Sequence, residues 1–359
     1  MKKRSFLILA FLLFVPFLVL AESRDYALSL LSEPAIAGSS RYIGMGGAMA
    51  AVGGDVSAAK DNPAAIGIFR RSEISVSTNI SGQRCKSDAT YKVALVSVPS
   101  VSWLFHFGNK MLGSGVLDQS LAFSYGRVLY GSEDWLRSVQ PEYSRQPQHW
   151  RTTSELKLDD YSIDYGMNIS NCLYLGAGVS LRSYRVGVLS DEGDSIYDDY
   201  ALAGLGVNLR AGIIYRPLTW LRLGCAVHSP TWASNTGRMP MRTVAGMAFQ
   251  FLSSGLLSVE YDYQHDGTHH LEDRHMIKAG AEYVFLNNGF LDVGYAYSFI
   301  DDRHHASLGL SWRSAHIVAG VAYLFGRTAK PLVIGAFPLT EDNILKYSHN
   351  VVFTLAFRY

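Results

Sequence analysis

From Ser72 onward the chain keeps returning to one pattern, in which large apolar residues alternate with small or polar ones. A period of two belongs to β-strands, because successive side chains of a strand point to opposite faces. Leu257, Val259, Tyr261 and Tyr263 alternate with Ser258, Glu260, Asp262 and Gln264. Leu291, Val293, Tyr295, Tyr297 and Phe299 alternate with Asp292, Gly294, Ala296 and Ser298, and the last run, Val351, Phe353, Leu355, Phe357 and Tyr359, carries Thr354, Ala356 and Arg358 between. A soluble sandwich alternates too, but its strands usually run to about five or six residues, whereas a tilted strand needs roughly 9–11 to cross a bilayer. Many of these runs are of the longer kind, and aromatics such as Tyr283, Phe285, Tyr323 and Phe325 gather near their ends, where a membrane barrel has its girdles.

The pattern predicts strands at 72–80, 91–107, 118–128, 157–169, 172–186, 201–215, 219–229, 240–251, 255–264, 274–286, 289–299, 304–313, 315–326 and 347–358. That count of fourteen is even, as single-chain bacterial barrels require. Connections at 170–171, 216–218, 252–254, 287–288 and 314 are tight, while those at 129–156, 187–200, 230–239, 265–273 and 327–346 are longer. They alternate as short periplasmic turns and long outer loops do, with the ten-residue turn at 108–117 and the short outer loop at 300–303 departing from the pattern. The fold class expected is all-β: a transmembrane antiparallel barrel over 72–359, closed by pairing of its first and last strands so that no edge is left open to lipid.

The N-terminus has the build of an export signal. Lys2, Lys3 and Arg4 precede an apolar run from Phe6 to Leu20, and Val19 and Ala21 sit at the positions a signal peptidase reads, so residues 1–21 are expected to be removed. Lys and Arg total 32 against 31 Asp and Glu, a balance that excludes the basic excess of a nucleic-acid binder. Cys85, Cys172 and Cys225 form neither a disulfide framework nor a zinc motif.

Between signal and strands lies a stretch of another character, Arg41 to Gly67, with glycine at 44, 46, 47, 53, 54 and 67 and alanine interspersed. Glycine allows close packing and positive φ, and alanine favours short helical turns. Asp55 is placed to cap one such turn, and Asn62-Pro63 breaks the chain. The expectation is a compact knot small enough to sit inside a barrel.

A cleaved signal, Met45-Gly46-Gly47-Ala48, Gly54-Asp55, Asn62-Pro63-Ala64 before the first strand and a terminal aromatic at Tyr359 together resemble the long-chain fatty acid transporter (FadL, TodX) family of outer-membrane proteins, in particular the branch often labelled hemin receptor. The resemblance implies a fourteen-stranded barrel in the outer membrane, plugged by an N-terminal hatch over 22–71 and admitting hydrophobic small molecules by passive diffusion. It implies that Gly46, Gly47, Asp55, Asn62, Pro63 and Ala64 form the hatch motif and that substrate leaves sideways where a strand bends away from its neighbour. Pro99 falls inside a strand-like run, where proline means an edge, a bulge or a lost ladder bond, and so marks either the lateral gap or a turn between two short strands.

Ile43, Met45, Met49, Ile66 and Phe69 are the candidate pocket walls, or else the packing of the hatch itself. His265, His269 and His270 cluster in one predicted outer loop, with His304 and His305 beside another. They are candidate ligands for a metal or haem iron, or solvating loop residues. Inward Arg210, Arg222, Arg242, Arg313, Lys278, Glu260, Asp262, Glu282 and Asp292 mix both signs and are expected to pair within the lumen. Neither a nucleophile elbow nor a dinucleotide loop is present, so no enzyme and no cofactor is expected. A surface receptor for haem, or a non-transporting scaffold for a secretion partner, remain the alternatives to a channel.

Overall fold

The computed structural model describes residues 36–85, 93–108, 118–139, 148–192, 195–233, 237–251, 254–265, 273–299, 302–328 and 346–359. Its strands are β1 (Glu73–Cys85), β2 (Val93–His106), β3 (Asp118–Val139), β4 (Gln148–Ser170), β5 (Leu173–Glu192), β6 (Ser195–Leu218) and β7 (Leu221–His228). A short pair follows, β8 (Thr231–Ala233) and β9 (Gly237–Met239). The series then continues with β10 (Met241–Phe251), β11 (Gly255–His265), β12 (Arg274–Phe285), β13 (Gly289–Ser298), β14 (Arg303–Arg313), β15 (Ile317–Thr328) and β16 (Lys346–Arg358).

Fourteen of these, β1–β7 and β10–β16, pair antiparallel with their neighbours in chain order, and β1 pairs with β16 to close the ring. Each corresponds to one of the strands expected from the alternation. The closing seam runs from Glu73↔Arg358 to Cys85↔Lys346, and the Arg358 guanidinium holds Glu73 across it at 2.7 Å. Along β11, Leu257, Val259 and Tyr261 are 46, 45 and 42% exposed while Ser258, Glu260 and Asp262 are at most 2% exposed. A barrel with its apolar residues outside and its charges inside suits a bilayer and no aqueous solvent. No described helix is long and apolar enough to cross a membrane.

Two expectations about connections are corrected. Residues 129–156 and 187–200 were predicted to be mainly outer loop, yet β3 to β6 extend through most of both, with 20 to 24 residues each. Their ladders continue to Val139↔Gln148 and Glu192↔Ser195. Above the bilayer no lipid selects an apolar face, so the alternation fades while the backbone bonds between hairpin arms persist. The connection at 230–239 likewise holds β8 and β9, which pair with each other, β8 also joining β6 at Gly206↔Ala233 and Val207↔Trp232. The export signal lies outside the described residues. Cys172 and Cys225 are exposed and unbridged.

Candidate functional site

Residues 36–71 fold inside the ring as three short turns. Ser39 caps the α-helix Ser40–Gly44, its Oγ accepting the Tyr42 amide at 3.1 Å. Asp55 caps a 3-10 turn, Val56–Lys60, accepting the Ser57 amide at 2.8 Å as its position suggests. Asn62 does more than end that turn. Its Oδ1 accepts the Ala64 amide at 3.0 Å and starts a second 3-10 turn, Pro63–Ile68, with proline at the first position, where a missing N–H costs nothing. Its Nδ2 donates to the Ala50 carbonyl at 2.8 Å and, across to the wall, to the Ile213 carbonyl at 3.1 Å. The motif therefore ties two parts of the hatch to each other and to β6.

The hatch meets the wall almost backbone to backbone, because inward positions of many strands hold glycine. A β-carbon at Gly294 would lie 2.1 Å from the Gly46 amide nitrogen, one at Gly176 2.2 Å from that of Ala64, and one at Gly280 2.5 Å from the Met45 carbonyl oxygen. Several of these glycines face one another across the ladder, as in Gly166↔Gly176↔Gly212, Gly246↔Gly224 and Gly280↔Gly294. At Gly46 and Gly47 the hatch turns with φ of 63° and 76°, a conformation costly for any other residue. The expected small-residue hatch is thus half of a matched pair, and the other half is a glycine girdle in the wall.

Charge does the rest of the docking. Asp61, on the hatch, meets Arg242 at 2.6 Å and Lys278 at 4.0 Å, and its other oxygen accepts the Tyr42 hydroxyl at 2.6 Å. Lys278 also reaches Glu260 at 2.7 Å and Asp262 at 3.0 Å, while Arg242 Nε donates to Asp262 at 2.8 Å. Glu260 in turn accepts the Ala50 amide at 2.8 Å. Burial alone would raise the Asp61 carboxyl, but the charges of Lys278 and Arg242 overcome it and hold the group below its ordinary value. Burial, then the Asp61 carboxylate, push the Tyr42 phenol well above its own, so it remains a donor. A second anchor joins Arg41 of the hatch to Glu282 through two bonds of 2.8 and 3.0 Å, with Arg313 on the same carboxylate at 2.7 Å. Asp61, Glu260 and Asp262 bring oxygens within 4.8 Å of one another, but Lys278 and Arg242 already occupy the space a cation would take.

The hydrophobic candidates fall in two packed groups. Ile43, Met45 and Met49 are at most 2% exposed, inside the contact between hatch and wall. Ile66 and Phe69 pack with Val56, Ala59, Leu104 of β2 and Ala122 of β3. As packed side chains, all five hold the hatch together and against the wall.

Pro99 lies within one continuous strand, not at a turn. Against β1 the register slips between Ser77↔Ser100 and Asn79↔Ser97, so Val98 and Pro99 oppose Thr78 alone, which is a bulge. Against β3, β2 pairs only from Val101↔Tyr125 to His106↔Ser120. Beyond that point β2 continues along β1 and β3 along β4, leaving a seam without described pairs. The ring closes between β1 and β16 as expected; along this stretch proline has no N–H to give a ladder, and the bulge turns the strand. Below the seam sits Lys60 of the hatch. A β-carbon at Gly126 of β3 would lie 2.8 Å from its Nζ and 3.5 Å from the Ser100 β-carbon. Among the described residues Lys60 donates only to the Ala37 carbonyl, at 3.5 Å, and burial lowers its ammonium below the usual lysine range.

Only some of the candidate histidines fall among the described residues. His265 bonds Asp273 at 3.0 Å on the outer face of the barrel, and His269 and His270 lie outside the described residues. His304 belongs to a different hairpin and bonds Tyr295. Asp61, Tyr42, Lys60 and the wall glycines were not singled out from sequence; the signal was there in a few charges within an otherwise small-residue segment and in a glycine recurring on the inward face of strand after strand.

No protein-family model matches the sequence, and no curated protein does. Solved structures do. The toluene transporter TodX of Pseudomonas putida matches with a TM-score of 0.65 at 14% identity, over 90% of this chain and 98% of that one. CymD, a monoaromatic hydrocarbon channel, and a FadL homologue of Pseudomonas aeruginosa each match with a TM-score of 0.62 at 12% identity, over the same shares of each chain. At such identities the likeness speaks for architecture, and the chain has the fold of these FadL- and TodX-type channels: a fourteen-stranded antiparallel barrel plugged from within.

Proposed function

We propose that this protein is a channel for passive uptake of hydrophobic small molecules, which enter from the outer face and leave sideways into the membrane between β2 and β3. The observation that carries the reading is the ladder that ends at Val101↔Tyr125 directly beside the hatch. A hydrophobic solute gains nothing by entering the aqueous periplasm, whereas a wall opening at bilayer depth delivers it to an apolar phase. The similar structures, which include toluene and monoaromatic hydrocarbon channels, support the same class of solute.

A staple across the base of the opening tests the route. With the native cysteines replaced by serine, Ser100→Cys and Gly126→Cys bring β-carbons to 3.5 Å, within disulfide range. Oxidation is expected to lower toluene uptake into proteoliposomes several-fold, with recovery on adding reductant. Pro99→Val, which restores an N–H, is expected to act in the same direction. Uptake unchanged in both variants would sink the lateral route.

The choice between fatty-acid and aromatic solutes turns on Lys60. An ammonium with no carboxylate within 4 Å among the described residues is costly to bury, and an anionic end group on the solute would relieve it. Lys60→Met is expected to weaken binding of dodecanoate about tenfold, roughly 1.4 kcal/mol, and to leave dodecanol unchanged. Equal losses for acid and alcohol would assign Lys60 to packing and the channel to neutral solutes.

A further inference from the structure

Three consecutive hairpins repeat one arrangement on the outward face, at their loop ends, that the uptake route does not use. In β11–β12, His275 stands opposite Tyr263 with Tyr261 diagonal to it. In β13–β14, His304 stands opposite Tyr297 with Tyr295 diagonal, and in β15–β16, His349 stands opposite Phe325 with Tyr323 diagonal. Each diagonal tyrosine places its hydroxyl 2.6 Å from the histidine Nδ1. The opposite rings lie 5.1, 4.8 and 5.4 Å from the imidazole centroids. An aromatic girdle alone would need neither the histidines nor their common orientation.

Position names the occupant. Tyr261, Tyr295 and Tyr323 are 42, 46 and 41% exposed and continue the outward rows of Leu257 and Val259, of Val293 and of Val321. The belt therefore stands where the apolar band ends on the loop side, the level at which acyl chains give way to headgroups. What covers this face is lipid, and the first polar atoms to arrive are those of its headgroup.

Chemistry narrows the headgroup. With the tyrosine O–H donating the short bond to Nδ1, the ring proton of a neutral imidazole sits on Nε2. His304 agrees, since its Nε2 faces Asp302 Oδ1 at 3.3 Å, a place for an N–H. Asp302 also accepts from Tyr297, and Asp273 is taken up by Tyr263 at 2.6 Å and His265 at 3.0 Å. These contacts leave over Nε2 of His275 and His349, which have no partner among the described residues. They also leave Arg327, exposed on the same face and in register between His304 and Tyr347. All three are donors, and one is permanently cationic.

We infer that this belt is a headgroup site in which His275, His349 and Arg327, steadied by the tyrosines, hold phosphate-bearing anionic headgroups of the outer leaflet. The full-length protein in detergent is titrated with dihexanoyl phosphatidylglycerol, with dihexanoyl phosphatidylcholine and, separately, with inorganic phosphate, and followed by phosphorus NMR line broadening. The wild type is expected to bind the glycerol lipid about tenfold more tightly than the choline lipid, a difference of about 1.4 kcal/mol. The combined His275→Phe, His304→Phe and His349→Phe variant, which keeps the ring packing, is expected to lose that preference while toluene uptake is unchanged. Should the combined variant fail to fold, Arg327→Gln alone is expected to reduce the preference about threefold, still well outside the error of a titration. Lack of a preference in the wild type, or its survival in the variants, overturns the site. Inorganic phosphate displacing the lipid at equal concentration would overturn the lipid as its source.

Discussion

Lys278→Met is expected to unseat the hatch while leaving the barrel closed. Methionine keeps most of the lysine stem, so packing is little changed, but among the described residues Asp61 and Asp262 would then keep Arg242 alone and Glu260 would keep no ion-pair partner. All three carboxylates are at most 2% exposed, and removing one partner of a buried charge network costs about 3–5 kcal/mol. The strain falls on the part that can move. Trypsin is expected to cut the hatch of the variant and spare that of the wild type, while both keep the heat-dependent gel shift of an intact barrel. Adding Asp61→Asn should restore part of the protection, because it removes one of the stranded charges. Protection that does not return would mean that Lys278 acts by shape alone. In the wild type the lowered Asp61 pKa has its own consequence. Its contribution to docking is complete above the unfolded value of 3.8 and is lost as pH falls through the lower, folded value, so acid is expected to release the hatch only below that point.

The second large effect belongs to the glycine girdle. Gly294→Val would put a β-carbon 2.1 Å from the Gly46 amide nitrogen and 2.5 Å from the Met45 carbonyl carbon. Neither is the end of a flexible side chain, so the hatch has to lift from the wall. A fourteen-stranded barrel without its plug is wide enough for water and ions. The expected result is steady conductance in planar bilayers where the wild type shows none, with uptake no longer selective for hydrophobic solutes. Gly246→Ala is the control. A β-carbon there lies 3.5 Å from the nearest hatch atom and 3.3 Å from the Val259 carbonyl oxygen, and conductance should stay closed. A closed Gly294→Val channel would show that the hatch seats without this contact.

The barrel was legible because a bilayer imposes a local rule. Every strand that crosses it must show lipid an apolar face, and every turn between crossings is short on one side, so β10 to β15 could be bounded within a residue or two from period and spacing alone. The rule stops at the membrane surface, which is why the loop-side ends of β3 to β6 read as loops: a strand sustained only by its neighbours' hydrogen bonds leaves no trace in hydrophobicity. The hatch was legible as something small and tightly turned, through Gly46, Gly47, Asp55 and Asn62-Pro63.

What the local pattern left undetermined is which wall residue each hatch residue meets. Asp61 and Lys278 are more than two hundred positions apart, and Pro99 reads equally as a bulge or a turn until β1 and β3 stand on either side of it. Strand period and length depend on the medium around each segment, so the chain carries them residue by residue. The docking network, the glycine girdle and the seam between β2 and β3 depend on which segments closure brings together, and they exist only once the first and last strands have met.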